Sequence, residues 1–170
     1  MPDRSLTFLL GGARSGKSAH AEGLIEKLPA PWTYIATGQA FDDEMRERIA
    51  HHQDRRGAGW QTLEAPFDLA AALENVAAGQ PVLIDCLTLW LTNHMLAEHD
   101  LAAESERLAA VLSNPRGAWF VVANEVGLGI VPDNALARRF RDEAGRLNQR
   151  VASIADRVLF MAAGLPMVMK

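Results

Sequence analysis

Short apolar runs alternate with amphipathic stretches along the chain. Leu6–Leu10 is a continuous apolar run that stops at Gly11, which is typical of a strand buried on both faces. Runs of the same kind occupy Trp32–Thr37, Pro81–Asp85 and Ala118–Ala123. Most of the stretches between them repeat apolar residues every three or four positions, which predicts helices. This alternation predicts an α/β fold, with a mainly parallel sheet flanked by helices.

The remaining segments complete the predicted order of elements. A charged helix is predicted over Phe41–Arg56, followed by a short strand over Trp60–Glu64 and a helix capped by Asp68. A mostly helical stretch then covers Leu87–Leu112, with a break near His99-Asp100. The C-terminal part is predicted to form a β-hairpin of Val158–Ala162 and Met167–Met169 around Gly164-Leu165-Pro166, preceded by a long helix that is capped by Asp133 and has its apolar side chains inward, namely Leu136, Phe140, Leu147, Val151 and Ile154. Because no repeat or linker interrupts this order, one domain is expected over residues 1–170.

Composition narrows the functional classes. The chain has 170 residues with a net charge of −4, so it lacks the overall basic charge that would hold a nucleic-acid backbone. Its single cysteine excludes a disulfide framework and a multi-cysteine metal site. The sequence has neither a membrane-spanning apolar run nor a signal peptide, so a cytoplasmic location is expected and no membrane partner.

The strongest chemical signal lies directly after the first predicted strand. Gly11-Gly12-Ala13-Arg14-Ser15-Gly16-Lys17-Ser18 fits the phosphate-binding loop pattern G-x-x-x-x-G-K-[ST] and precedes a predicted helix. Glycines let backbone N–H groups approach a phosphate, and the helix N-terminus adds its positive dipole end. Lys17 is expected to reach the β- and γ-phosphates of a nucleotide, and the Ser18 hydroxyl to bind Mg²⁺.

A second candidate metal ligand closes another buried strand. Asp85 follows Val82-Leu83-Ile84, the position from which a phosphate-loop protein presents a carboxylate to Mg²⁺. An aspartate that merely ends a strand or caps a helix has the same local pattern, so the assignment depends on the neighbouring phosphate loop.

Three other segments carry reactive or charged side chains. Adjacent residues on a helix point about 100° apart, so His51 and His52 do not share one face, and their spacing alone fits surface histidines better than a nucleophile. Asn124–Pro132 (NEVGLGIVP) is either a structured loop or a position for a substrate hydroxyl or metal. The arginines of the long helix are interspersed with Asp142 and Glu143, so a solvated, salt-bridged face explains them better than a phosphate clamp.

Taken together, these motifs resemble a known family. The phosphate loop, Tyr34–Thr37, Arg48–His52 (RIAHH), Asp85–Asn93 (DCLTLWLTN) and NEVGLGIVP occur in order over nearly the whole chain. This combination looks like the bifunctional adenosylcobinamide kinase/adenosylcobinamide-phosphate guanylyltransferase of cobalamin biosynthesis. The resemblance implies a RecA-like P-loop NTPase fold and a homo-oligomer, with a trimer suspected.

The resemblance also implies two reactions and a set of site residues. ATP or GTP would phosphorylate the aminopropanol hydroxyl of adenosylcobinamide, and GTP would then donate GMP to adenosylcobinamide phosphate through a guanylyl-histidine on His51. Mg²⁺ would be held by Ser18 and Asp85. The implied nucleotide contacts are Gly11, Gly12, Ala13, Arg14, Ser15, Gly16, Lys17, Ser18, Thr37, Gly38, Gln39, His52, Gln53, Asp54, Arg55, Glu64 and Asp85.

Two other functional classes stay open at this level. One is a P-loop kinase for another small molecule, without guanylyltransferase activity and with an inert His51. The other is a non-catalytic nucleotide-binding subunit, which would transfer no phosphoryl group to any hydroxyl. Incubation with GTP labelled at the α-phosphate separates the kinase from the bifunctional enzyme, because only the latter forms a labelled protein.

Overall fold

The computed structural model describes residues 4–39 and 57–170. The strands are β1 (Ser5–Gly11), β2 (Trp32–Ala36), β3 (Trp60–Glu64), β4 (Val82–Asp85), β5 (Ala118–Asn124), β6 (Arg157–Ala162) and β7 (Leu165–Val168). The helices are α1 (Lys17–Ile25), α2 (Leu69–Asn75), α3 (Leu87–Leu96), α4 (Leu101–Leu112) and α5 (Ala135–Ile154). The predicted helix over Phe41–Arg56 lies outside the described residues.

The seven strands of the described residues form one sheet in the order β3-β2-β4-β5-β1-β6-β7. Six of them are parallel, and β7 pairs antiparallel with β6. β1 lies between β5 and β6 and is covered on both faces, which explains its continuous apolar run. Leu6 and Phe8 pack into the core beneath α2 to α5, whereas Leu9 packs against α1 on the other face.

The predicted break in the long helical stretch is confirmed, and its cause is a helix cap. α3 ends at Leu96, and Glu98 adopts a left-handed backbone with φ of 57°. The Asp100 carboxylate then accepts hydrogen bonds from the N–H groups of Ala102 and Ala103, both at 3.1 Å, and starts α4.

Two details of the long C-terminal helix were predicted wrongly. Asn134 caps α5, because its Oδ1 atom accepts the Ala137 N–H at 2.8 Å, so Asp133 is not the cap. Aspartate and asparagine are equally good caps, and the sequence alone does not separate neighbours. Leu136 is 55% exposed, whereas Leu147 and Val151 are buried as predicted. Periodicity gives the phase of a helical face, but it does not show how far the sheet beneath extends.

The C-terminal hairpin is confirmed with a shorter turn than predicted. Ala163 and Gly164 form the turn, with φ of 51° and 77°, so Leu165 and Pro166 belong to β7. Positive φ at both turn residues is the geometry that matches the twist of two antiparallel strands.

Candidate functional site

The phosphate-binding motif joins the carboxyl end of β1 to the N-terminus of α1. Gly16 has φ of 93° and occupies the N-cap position, and Arg14 has φ of 55°. Left-handed residues alternating with ordinary ones turn successive N–H groups toward one concave side, which is how backbone binds an anion. A side chain at Gly16 would be strained by the backbone, and its Cβ would lie 3.1 Å from the Cα of Gly164.

Gly11 is required for close packing at the start of the loop. A Cβ there would lie 2.5 Å from the Met161 carbonyl oxygen and 2.8 Å from the Ser15 hydroxyl. The C-terminal hairpin supports the loop from the same side, since the Gly164 N–H donates to the Ser15 carbonyl at 2.9 Å. The sequence pattern did not indicate this support, because Gly164 by itself signals only a turn.

Lys17 is the buried cation of the loop. Its residue is 7% exposed, and its Nζ atom donates to the Gly12 carbonyl at 2.6 Å. Burial lowers the pKa of this ammonium, while the nearby Cys86 and Asp85 side chains oppose that shift. The amine therefore lies within the loop, held mainly by one backbone oxygen, where a phosphate oxygen could take over the hydrogen bond.

Asp85 ends β4 at the same edge of the sheet as the loop. Its carboxylate accepts a hydrogen bond from the Tyr34 hydroxyl at 3.2 Å, and its charge acts on Lys17. The position fits the prediction of a carboxylate close to the phosphate loop. The local sequence pattern gives no role to Tyr34, whose hydroxyl holds the carboxylate from the neighbouring strand.

The side chain of Thr37 is committed to the backbone. Thr37 is fully buried, and its hydroxyl donates to the Cys86 carbonyl at 2.6 Å and accepts the Cys86 N–H at 2.8 Å. The Asn93 amide donates to the Thr37 carbonyl at 2.7 Å. These bonds fix the chain as it leaves β2, so Thr37 positions this corner of the site, and its predicted contact with nucleotide remains a prediction.

The structure describes some of the other predicted nucleotide contacts, and the rest lie outside the described residues. Glu64 ends β3 and pairs in register with Ala36, which on its other side pairs with Asp85, so both acids lie in one row at the sheet edge. Gly38 lies against α3, where an added Cβ would be 3.3 Å from a Leu89 methyl group. Gln39 is half-buried. His51, His52, Gln53, Asp54 and Arg55 lie outside the described residues, so their roles remain predictions.

Asn124 and Glu125 come to the phosphate loop from β5. Asn124 pairs in register with Gly11, and the Glu125 N–H donates to the Gly11 carbonyl at 2.9 Å. The loop that follows exposes large apolar side chains, among them Leu128 at 81% and Ile130 at 98%. The NEVGLGIVP segment is therefore part of the same edge.

Two arginines of α5 pair with acidic neighbours. Arg141 lies 3.0 Å from Asp142 and Arg146 lies 2.6 Å from Glu143, all at least partly exposed. These contacts agree with the predicted solvated face. Over residues 4–39 and 57–170, no group of three or more histidine, cysteine or acidic side chains could hold a metal ion, and no helix is long and apolar enough to cross a membrane.

Comparison with known proteins identifies the family over nearly the whole chain. The family model described as cobinamide kinase / cobinamide phosphate guanyltransferase matches residues 7–169. The chain is 51% identical to the bifunctional adenosylcobalamin biosynthesis protein CobP of Pseudomonas aeruginosa, over 96% of each chain. It is 41% identical to the bifunctional adenosylcobalamin biosynthesis protein CobU of Salmonella typhimurium, over 97% of this chain and 99% of that protein.

Solved structures resemble the fold at much lower identity. The RadB recombinase aligns with a TM-score of 0.53 at 17% identity, over 92% of this chain and 73% of that one. At this identity the likeness shows only the fold, a RecA-like P-loop NTPase sheet with helices on both faces and, here, a C-terminal hairpin.

Proposed function

The chain belongs to the cobinamide kinase / cobinamide phosphate guanyltransferase family, and we propose that a single phosphate loop serves both of its reactions. In the first, ATP or GTP phosphorylates the aminopropanol hydroxyl of adenosylcobinamide. In the second, GTP donates GMP to adenosylcobinamide phosphate, which releases pyrophosphate and yields adenosyl-GDP-cobinamide. The observation that carries this proposal is the β1–loop–α1 geometry, with Lys17 buried inside the loop.

The two reactions attack different phosphorus atoms of one bound triphosphate. Kinase chemistry needs attack at the γ-phosphorus, whereas guanylyl transfer needs attack at the α-phosphorus. In both, negative charge builds up on the departing phosphates, and Lys17 with the N–H groups of residues 12–18 stabilises it. One loop can therefore serve both reactions, if the two nucleophiles reach it from different directions.

The side chains that would hold Mg²⁺ are Ser18 and Asp85. Hydroxyl and carboxylate oxygens suit this ion, which usually takes one or two protein ligands and completes its shell with water and phosphate oxygens. The Tyr34 hydroxyl orients the carboxylate at 3.2 Å. When bound, Mg²⁺ would neutralise charge on the phosphates.

The guanylyl group is proposed to pass through His51. The segment that carries it begins after Gln39, at the carboxyl edge of the sheet where the phosphate loop also lies. A neutral imidazole nitrogen attacks the α-phosphorus, and pyrophosphate leaves; the phosphate of the second substrate then displaces the histidine. The remaining guanine-nucleotide contacts are proposed at Gly11–Ser18, Thr37–Gln39, His52–Arg55, Glu64 and Asp85.

Labelling with GTP that carries ³²P at the α-phosphate tests this function. The wild-type protein should become labelled, and the label should be acid-labile and alkali-stable, as expected of a phosphorus–nitrogen bond. His51→Ala should abolish labelling and still form adenosylcobinamide phosphate, since the kinase step needs no covalent intermediate. His52→Ala is the matched control and should keep its label. A label that persists in His51→Ala, or that survives acid, would exclude His51.

A homo-oligomer, with a trimer suspected, is part of the proposal. Support comes from the exposed apolar side chains of the edge strand β7, among them Leu165 at 69% and Val168 at 66%. Among the described residues β7 has no strand on its outer side, and an apolar sheet edge of this kind is usually covered by another chain. Light scattering after gel filtration measures the assembly mass, and a monomer at micromolar concentration would contradict it. A cytoplasmic location is also proposed, because the proposed reactions consume ATP and GTP.

A further inference from the structure

A cavity of about 360 Å³ lies between α5 and the strands β1 and β6. Leu10, Val158 and Phe160 form part of its apolar lining, and Gly145 and Asn148 line it from α5. Glu125 also lines it and links it to the phosphate loop. A volume of this size holds a small ligand or one arm of a large one.

Glu125 is held firmly at this junction. Its N–H donates to the Gly11 carbonyl at 2.9 Å, so its backbone is attached to the first residue of the phosphate loop. Its Oε1 atom accepts the Gly127 N–H at 2.6 Å, which orients the carboxylate. A carboxylate has a second oxygen that can accept a proton while the first keeps this bond. The group is therefore an oriented carboxylate on a residue whose backbone is attached to the first residue of the phosphate loop.

Gly145 supplies a second, independent observation. Glycine inside a helix costs about 1 kcal/mol relative to alanine. An added Cβ at Gly145 would meet nothing within 4 Å, so packing among the described residues does not require the glycine. Gly145 instead lines the cavity on its α5 side, so the missing side chain leaves this space open to a ligand.

We propose that this cavity receives the hydroxyl-bearing arm of the acceptor and that Glu125 is the general base of the phosphoryl transfer. The inference rests on the proposed function and adds the acceptor site to it. The acceptor oxygen forms a bond to the γ-phosphorus, and the bond from that phosphorus to the β–γ bridging oxygen breaks. The hydroxyl proton passes to Glu125, and the nucleoside diphosphate leaves.

The lining suits an amide-linked aliphatic alcohol. Apolar side chains match the methylene and methyl groups of such an arm. The Gln149 amide and the Oδ1 atom of Asn148 can pair with its amide group, while Nδ2 of Asn148 donates to the Asn124 carbonyl at 3.4 Å. The cavity is too small for a corrin macrocycle, which would remain outside against the exposed apolar loop of Leu128 and Ile130.

Glu125→Gln is the decisive variant, because the glutamine Oε1 can still accept the Gly127 N–H while the amide cannot take the proton. We expect the kcat of adenosylcobinamide phosphorylation to fall about 10²- to 10⁴-fold, the usual contribution of a general base. Labelling by α-³²P GTP needs no acceptor and should stay within about threefold of wild type, less than 1 kcal/mol in barrier. Glu143→Gln is the matched control, because Glu143 lies on α5, pairs with Arg146 and does not line the cavity, and it should keep both activities.

Gly145→Leu tests the cavity separately, since leucine raises helix propensity while filling the space. The KM for adenosylcobinamide should rise at least tenfold, and the KM for ATP should not change. Phosphorylation by Glu125→Gln at the wild-type rate would overturn the assignment of the base. The assignment of the cavity would be overturned if Gly145→Leu left the KM for adenosylcobinamide unchanged, or if it changed the oligomeric state instead of that KM. If the proposed function itself fails, the wild-type protein will neither be labelled nor phosphorylate the acceptor.

Discussion

The phosphate loop around Lys17 and the cluster of Phe67, Trp90, His94 and His99 both bury a titratable nitrogen. Lys17 is 7% exposed and His94 is 2% exposed, and burial lowers the pKa of both. They differ in how their nitrogen atoms are satisfied. Lys17 relies mainly on one carbonyl, that of Gly12 at 2.6 Å, with Ser15 more distant at 3.4 Å.

Both ring nitrogens of His94 are engaged. Its Nε2 atom lies 3.2 Å from the Phe67 carbonyl, which only accepts, so Nε2 carries the proton. Its Nδ1 atom must then accept from Nδ1 of His99 at 2.9 Å. The rings of Phe67 and Trp90 pack against it, with centroids at 5.4 and 4.5 Å. Burial of a titratable group therefore does not by itself indicate a ligand-binding site. Lys17 differs from His94 because a ligand oxygen can replace the carbonyl to which its Nζ atom donates.

The largest expected effect is the loss of activity when Lys17 is replaced, which tests whether Lys17, unlike His94, acts on a ligand. Lys17→Ala should lower both the kinase and the guanylyl-labelling rates by at least 10²-fold, because one amine stabilises the departing phosphates in both reactions. Activity assays of each half-reaction measure the loss. Kinase activity within about threefold of wild type would mean that this loop does not bind the phosphates.

His94→Ala should show the opposite pattern. Removing the ring leaves a cavity between Phe67 and Trp90 and an unpaired His99, so the free energy of unfolding should fall by about 2–4 kcal/mol. Urea unfolding measures it, with Lys17→Ala expected to shift the midpoint far less. His99→Ala keeps the buried ring and should cost about 1 kcal/mol. Loss of activity in a folded His94→Ala protein would contradict the view that His94 serves stability alone.

Replacing Asp85 should change the Mg²⁺ requirement of the kinase reaction more than the free energy of unfolding. Asp85→Asn keeps an acceptor for the Tyr34 hydroxyl and loses the charge, so about tenfold more Mg²⁺ should be needed for half-maximal kinase rate. Nucleotide binding measured without metal should change little. A Mg²⁺ dependence identical to wild type would return Asp85 to a purely structural role. Tyr34→Phe is the control that keeps the charge.

The smallest effect is a pH dependence of stability from His94. Because burial lowers the pKa of His94 in the folded state, the unfolded chain binds its proton first as pH falls below about 6.5. Stability is therefore full above that value and declines below it. Urea midpoints between pH 7.5 and 5 measure the decline, and it should be shallower in His94→Ala. Equal slopes in the two proteins would show that His94 does not titrate against folding.

Local patterns predicted most of the elements. Leu6–Leu10, the phosphate loop and the helix after it are encoded by neighbouring residues, so the strand–loop–helix unit was recognisable without any tertiary information. The break before Asp100 was predictable for the same reason, since a cap acts within four residues. The choice of Asn134 over Asp133 was not, because two adjacent residues offer the same cap chemistry.

The sequence by itself determined the phosphate loop, the α/β alternation and, through its motifs, the family. The tertiary structure decided which distant residues meet at the loop: Asp85 from β4, Glu125 from β5 and Gly164 from the hairpin. The physical reason is that buried parallel strands have the same apolar pattern wherever they stand in a sheet. Their order β3-β2-β4-β5-β1-β6-β7 follows from long-range packing, and this order brings the side chains of separate strand ends together.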